Sequence, residues 1–317
     1  MLIDENAILK LSNSTIRRFI KDYKFPCKGD RPEMFIHAIK SIYPDYDFID
    51  QVKDFVDIVS TLGENEFKDH GGRIVAAGIT SINLDKFNEV TQDLVSGFKN
   101  IGKDLGSKIM NPHCDGKEFI SFDLIKANWN VFKTFAPEVL SSTWEEYSDF
   151  AASFTPYPYF INSSQIRYAI FGNINPKRQQ LLQQHVVQND LIKNIEELTN
   201  TEIIQKTSDE VIIPDNKDIR EELKSIAQSC RMPCRMTPFK INRIGQSDYY
   251  YQTFEDGKIK LMGVPGHLFL QALKFVQGKK VMNDDLIFIF EGQAVKFCDP
   301  FLFDDPHRAL RMKREDN

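Results

Sequence analysis

TEIIQKTSDEVIIPDN, residues 201–216, reads as two short apolar runs joined by a polar turn. Runs of this length, bounded by turn residues, are strand signals, and two so close together make a hairpin. Asp209 and Glu210 stand side by side at its tip. Adjacent acids in a turn are ordinarily solvated turn residues. Whether these two do more depends on what the rest of the chain brings beside them.

Upstream, KEFISFDL (117–124) reads as a strand that ends near Asp123. If it neighbours the hairpin in an antiparallel sheet, Asp123, Asp209 and Glu210 converge at one end. Shared carboxylate oxygens suit hard divalent cations, Mg²⁺ or Mn²⁺. Two such ions about 3.5–4 Å apart activate a hydroxyl and stabilise a leaving phosphate oxygen. All three acids are therefore candidate metal ligands and catalytic groups.

The flanking sequence predicts an α+β protein. Residues 1–115 are mainly helical, with apolar residues at helical spacing in 31–43 and 47–63. DHGGRIVAAGITSINL (69–84) has glycines and β-branched residues and reads as strand or loop. ANWNVFKTFAPEVL (127–140) reads as helix up to Pro137. A capping-box pattern follows at 142–146, and PYPYFINSS (156–164) reads as a rigid aromatic loop. PKRQQLLQQHVVQNDLIKNIEEL (176–198) is a long helix with Pro176 in its first turn, and 215–230 is another. Strands are expected in 236–245, 248–255 and 258–264, with Glu255-Asp256-Gly257 as a turn. A short helix in 266–280 and a last strand pair in 284–300 complete the pattern. The expected regions are 1–115, 116–265 and 266–317.

Composition narrows the classes. The chain has 317 residues, 42% hydrophobic and 27% charged, with a net charge of -5. Disorder and a uniformly basic nucleic-acid-binding surface are excluded. The N-terminus has early acids and no long apolar run, so neither a leader nor a membrane span is expected. A soluble intracellular protein with free thiols is the expectation. Cys230 and Cys234 in CRMPC hint at zinc, but the only comparable cluster is His113-Cys114, too few ligands for a clear site. P-loop, dinucleotide-binding, nucleophile-elbow and H-E-x-x-H signatures are missing.

The order of these parts resembles the palm of right-hand nucleic-acid polymerases, especially RNA-dependent RNA polymerases and reverse transcriptases. ISFDLIKANWNVF (120–132) looks like motif A, a strand ending in a metal-binding Asp. SSQIRYAIFGNINPKRQQLLQQHVV (163–187) resembles motif B, a loop leading into a long helix. QKTSDEVII (205–213) looks like motif C, its acid pair similar to that of family A DNA polymerases. Residues 218–245 would supply motif D, and 249–264 a motif E-like hairpin. The resemblance covers about 115–265 and implies an antiparallel palm-like sheet backed by helices, with a fingers-like N-terminal and a thumb-like C-terminal region.

It also implies roles. Asp123 and Asp209 would hold two Mg²⁺ or Mn²⁺ ions, with Glu210 auxiliary. Lys224 and Lys240 are candidates for protonating the leaving pyrophosphate. Asn128 would meet the sugar of the incoming nucleotide and favour ribonucleotides, or else simply cap its helix. Arg167, Lys177 and Arg178 would hold phosphate around a Gly172-containing loop, with Ser163 and Ser164 on template or sugar. Arg73 would be a fingers cation over the triphosphate. The partners implied are RNA rather than DNA, an NTP, and a protein completing fingers or thumb, with viral replication as one setting. Two other readings use the same residues: a non-catalytic palm-like protein that binds nucleic acid or a replication or capsid partner, and a carboxylate-metal nuclease.

Overall fold

The computed structural model describes residues 3–27, 29–97, 108–298 and 303. The N-terminal part is helical: α1 (Glu5–Ile8), α2 (Asn13–Asp22), α3 (Pro32–Ile42), α4 (Ile49–Leu62), α5 (Glu64–Ser81), α6 (Leu84–Val90) and α7 (Gln92–Ser96). Local chemistry sets several of these starts. Ser12 accepts from the Thr15 amide ahead of α2, Asn83 accepts from Lys86 ahead of α6, and Pro32 opens α3.

The stretch 69–84, expected as strand or loop, lies almost wholly in α5. Two of its three glycines, Gly71 and Gly78, lie at close packing contacts. A Cβ on Gly78 would lie 2.7 Å from Ile170 Cδ1, and one on Gly71 3.1 Å from the Arg18 guanidinium. Tertiary contact overrides local propensity here.

Then comes β1 (Glu118–Leu124), followed by α8 (Ala127–Phe135), α9 (Tyr147–Ala152), α10 (Pro158–Asn162), α11 (Ser164–Phe171) and α12 (Pro176–Val186). The capping box uses Glu146 and Asp149 rather than residues 142–146 as a unit, and starts α9. The aromatic loop contains α10, and the motif B-like loop is helix α11 with a short turn after Gly172. A π-helical segment, Val187–Ile192, carries α12 into α13 (Lys193–Leu198), so 176–198 is one long helix as expected.

The hairpin β2 (Gln205–Lys206) and β3 (Glu210–Pro214) is present, then α14 (Arg220–Ser229), β4 (Cys234–Arg243), β5 (Tyr250–Phe254) and β6 (Ile259–Met262). Helix α15 (Phe269–Val276) precedes a separate hairpin, β7 (Ile287–Phe290) with β8 (Gln293–Lys296).

The main sheet is antiparallel, in the order β2-β3-β1-β4-β5-β6. Its first four strands, with the helices between them, form a split β-α-β-β-α-β arrangement in which β1 is central. Strand alternation divides the two faces. Ile120, Phe122, Val211 and Ile213 belong to the large buried cluster that runs through the helices from Ile3 to Phe303. Phe119, Ile212, Phe239, Ile241 and Tyr250 lie on the other face and form a small cluster with Ile109. Among the described residues that second face carries no α-helical layer of its own, and at the end away from Ile241 it opens into a cleft.

Candidate functional site

The register of three strands builds the cleft. Asp123 on β1 lies opposite Glu210 on β3 and opposite Arg235 on β4. Directly paired residues share a face, so a Glu-Asp-Arg row crosses the sheet at one end. The next row on that face contains Ser121 and Thr237. The Ser121 hydroxyl donates to Glu210 Oε1 at 2.6 Å. Arg235 donates to Asp123 Oδ2 at 2.9 Å, and their side chains are 64% and 35% exposed.

Asp209 is placed by the turn. Its carbonyl accepts from the Leu124 amide at 2.9 Å, which extends the β1–β3 pairing by one step. The Thr207 hydroxyl accepts from the Glu210 amide at 3.0 Å and donates to Asp209 Oδ1 at 3.1 Å. This side-chain turn fixes the tip of the hairpin. The resulting cleft, of about 770 Å³, is lined by all three acids and by Arg235, Lys258 and Lys260.

The acids feel one another. Burial, reinforced by the charge of Asp209, raises the Asp123 carboxyl above the ordinary range, although Arg235 and Lys260 pull it down. Burial likewise raises Glu210, with Asp123 and Asp209 adding to the effect and Ser121 and Lys260 opposing it. The site therefore gathers more negative charge than its partial desolvation favours.

Mg²⁺ or Mn²⁺ fits this donor set in kind: every donor is a carboxylate oxygen, and a cation would relieve the crowding. Among the described residues no three His, Cys, Asp or Glu side chains, these acids included, stand grouped so that they could hold a metal ion as they are. Asp123 is engaged instead by Arg235. The zinc hint is not met by any such group among the described residues either.

The other sequence candidates lie elsewhere, and none lines the cleft. Lys224 pairs with Glu221 at 3.8 Å on α14. Lys240 is exposed, opposite Glu118, and alternation sends it to the face away from Asp123. Asn128, inside α8, accepts from Gln183 at 2.8 Å and ties α8 to α12; the residue before α8 is Lys126, so Asn128 is not the cap. Ser163 is buried and caps α11 through the Ile166 amide, and Ser164 donates to the Asp22 carbonyl at 3.4 Å.

Arg167 lies over the Tyr147 and Tyr168 rings, 5.4 Å from each centroid. Gly172 closes α11, where a Cβ would sit 2.5 Å from the Tyr168 carbonyl oxygen. Lys177 is exposed in the first turn of α12. Arg178 donates to the Asn88 carbonyl at 2.8 Å and to Thr91 and Gln92 at 2.9 Å, clamping α12 to α6 and α7. Arg73 pairs with Glu66 and donates to His70 at 3.2 Å.

Sequence reasoning missed Arg235, Lys258, Lys260 and Ser121. Alternation within CRMTPF and KIKLM would have put Arg235 with Thr237 and Lys260 with Met262 on one face each. Only the strand register joins those faces to Asp123. No protein-family model matches the chain, and no curated protein or solved structure was found to be significantly similar to it.

Proposed function

We propose that the cleft is a palm-type phosphoryl-transfer site that adds nucleotides, ribonucleotides in the first instance, to a nucleic-acid 3′ end. The carrying observation is that Asp123 from one strand and Asp209 and Glu210 from the neighbouring hairpin line one cleft, on the sheet face that no α-helix among the described residues covers. The order of elements along the chain, strand, long helix, acid-tipped hairpin, helix and strand, supports the same reading.

Asp123, Asp209 and Glu210 would hold Mg²⁺ or Mn²⁺, which would supply hydroxyl activation and charge neutralisation at the phosphate. The chain's own groups have narrower tasks. Ser121 and Thr207 orient Glu210 and Asp209 through the hydrogen bonds above. Arg235, Lys258 and Lys260 supply positive charge along the cleft wall for the phosphates of the substrate. Lys224 and Lys240 lie outside the cleft, so the proposal gives substrate contact to these three cations, of which Arg235 and Lys258 would exchange Asp123 and Asp256 for phosphate.

One observation favours a second reading. The Asp123–Arg235 ion pair already neutralises a carboxylate that a two-ion site requires, as a non-catalytic palm-like protein binding nucleic acid or a replication or capsid partner would allow. The test is extension of a labelled primer–template with rNTPs or dNTPs and Mg²⁺ or Mn²⁺, beside Asp209→Ala. Extension that is lost by at least a hundredfold in the variant supports the proposal. Cleavage of the labelled strand without extension moves the site to the nuclease class. Neither activity, with nucleic acid still bound, supports the non-catalytic reading.

A further inference from the structure

Among the helices, α2, α5 and α11 leave a groove of about 320 Å³ between them. It shares no lining residue with the acidic cleft. Three cations line it, Arg18 and Lys21 from α2 and Lys68 from α5, against a single acid, Asp22. Asp22 is buried and already answered: it pairs with Arg18 Nε at 2.8 Å and accepts from the Tyr159 hydroxyl at 2.7 Å. The groove is thus positive in a molecule whose net charge is -5.

The donors left over on these cations decide what the groove can hold. Arg18 spends only Nε on Asp22, and its two Nη groups make no hydrogen bond among the described residues. Nη2 lies 3.1 Å from where a Cβ on Gly71 would stand, so a side chain at that position would crowd it. Lys21 is exposed and makes no hydrogen bond or ion pair among the described residues. Lys68 donates to Ser14 at 3.0 Å and stands 4.0 Å from Glu64, whose carboxylate is taken up by the Ser12 and Thr15 hydroxyls. Arg18 and Lys21 are three residues apart and share a face of α2. Just past the helix end, Lys24 lies over the exposed Tyr168 ring at 4.5 Å, one turn along α11 from Gln165 of the groove wall. A single point of charge would suit one phosphate. Cations strung along a groove suit a run of phosphates, and a groove held between three helices tracks one backbone.

We propose that this groove binds the phosphate backbone of a single-stranded nucleic acid. Arg18 presents its unspent Nη fork, which phosphate oxygens accept in pairs, while Lys21 and Lys68 act as point charges and Lys24 extends the line at the rim. The groove has the nucleic-acid partner in common with the proposed function but none of the residues of the cleft.

The test is fluorescence anisotropy of a short fluorescein-labelled oligouridylate titrated with the full chain in chelator, from about 50 to 200 mM sodium chloride. Lys21→Ala/Lys68→Ala is expected to weaken binding by about tenfold or more at the lowest salt. It should also make the slope of log affinity against log salt shallower by about 1.4, two phosphate contacts at about 0.7 each. Lys21→Glu alone, at a side chain with no partner to lose, is expected to weaken binding with an unchanged melting temperature, which separates lost contact from lost fold. Lys193→Ala/Lys280→Ala removes the same charge at exposed positions outside both the groove and the cleft, and is expected to bind as the wild type does. No binding by the wild type, groove variants with unchanged affinity and slope, or an equal loss in Lys193→Ala/Lys280→Ala would overturn the proposal. So would ATP that competes as well as unlabelled oligouridylate at equal phosphate concentration, since the occupant would then be a free nucleotide. The chelator silences metal-dependent chemistry, so failure of primer extension leaves this result standing, and wild-type binding that survives in the groove variants removes the groove without touching the cleft.

Discussion

Glu210 shows how a single side chain can be kept against its own stability. Its carboxylate is partly desolvated and faces Asp123 and Asp209, and only the Ser121 hydroxyl and the charge of Lys260 compensate. Under the proposed function, such crowding is what a carboxylate serving chemistry rather than stability would tolerate. Glu210→Gln keeps the acceptor for Ser121 and removes the charge. In chelator at pH 7, we expect this variant to melt roughly 2 °C above the wild type, and to lose any metal-dependent activity. An unchanged or lower melting temperature, followed by differential scanning calorimetry, would show that the crowding is already relieved by the neighbouring cations. At this scale the sequence was informative about the acids and silent about the cations. A turn advertises its residues locally, so Asp209 and Glu210 were legible. Arg235 and Lys260 acquire meaning only through pairing across β1, β4, β5 and β6, and register is not written in any one strand.

Helix α5 carries the main misreading among the elements. Gly71, Gly72 and Gly78, set among Ile, Val and Thr, weaken a helical reading of 69–84. Yet Gly71 and Gly78 are seven residues apart, two helical turns, and are both buried, while Gly72 is exposed. That spacing was the available signal. The two kinds of glycine should respond oppositely to alanine. At Gly72 nothing lies within 4 Å of the added Cβ, so Gly72→Ala should stabilise by about 0.5–1 kcal/mol through helix propensity. At Gly78 the Cβ meets the fully buried Ile170 side chain at 2.7 Å, and overpacking of about 1–3 kcal/mol outweighs the propensity gain. Urea denaturation of both variants decides the matter, and trimming the neighbour in Gly78→Ala/Ile170→Val should recover part of the loss. If both single variants stabilise, Ile170 has room to turn and the close helix contact does not explain the glycine. The strands were easier to read, because alternation in 117–124 and 236–245 survives in the structure: Ile120 and Phe122 face the helices, while Phe119, Ser121 and Asp123 face away.

Across the whole molecule, the C-terminal segment is fastened to the N-terminal helices. The Tyr46 hydroxyl accepts from the Leu261 amide at 2.9 Å, and the Tyr46 and Phe269 rings meet edge-on at 5.4 Å. The strongest tie is Asp285, whose side chain is fully buried. It accepts from Lys274 of α15 at 2.7 and 2.9 Å, from the Met282 amide at 2.6 Å, and pairs with His37 of α3 at 2.9 Å. Burial alone would raise this carboxyl, but the hydrogen bonds from His37, Lys274 and Met282 overcome it and hold it below the ordinary value. Its contribution is then fully present above the unfolded-state value near pH 4 and is lost as pH falls through the lower folded-state value. Asp285→Ala leaves Lys274 nearly buried without its counter-charge, so we expect a loss of about 3–5 kcal/mol at pH 7. Urea unfolding at a series of pH values should show the gap between wild type and variant constant from pH 5 to 7 and shrinking below about pH 4. Because one buried cluster runs from Ile3 to Phe303, the loss should appear in a single transition. Tryptophan fluorescence, which reports on the buried Trp129 among Tyr147, Phe150 and Phe171 and on Trp144 beside Phe150, and far-UV circular dichroism, dominated by the helices, should then give the same midpoint in both proteins. A fluorescence midpoint that stays fixed while the circular dichroism midpoint falls would mean that the aromatic cluster around Trp129 and Trp144 holds together after the segment tied by Asp285 has come loose.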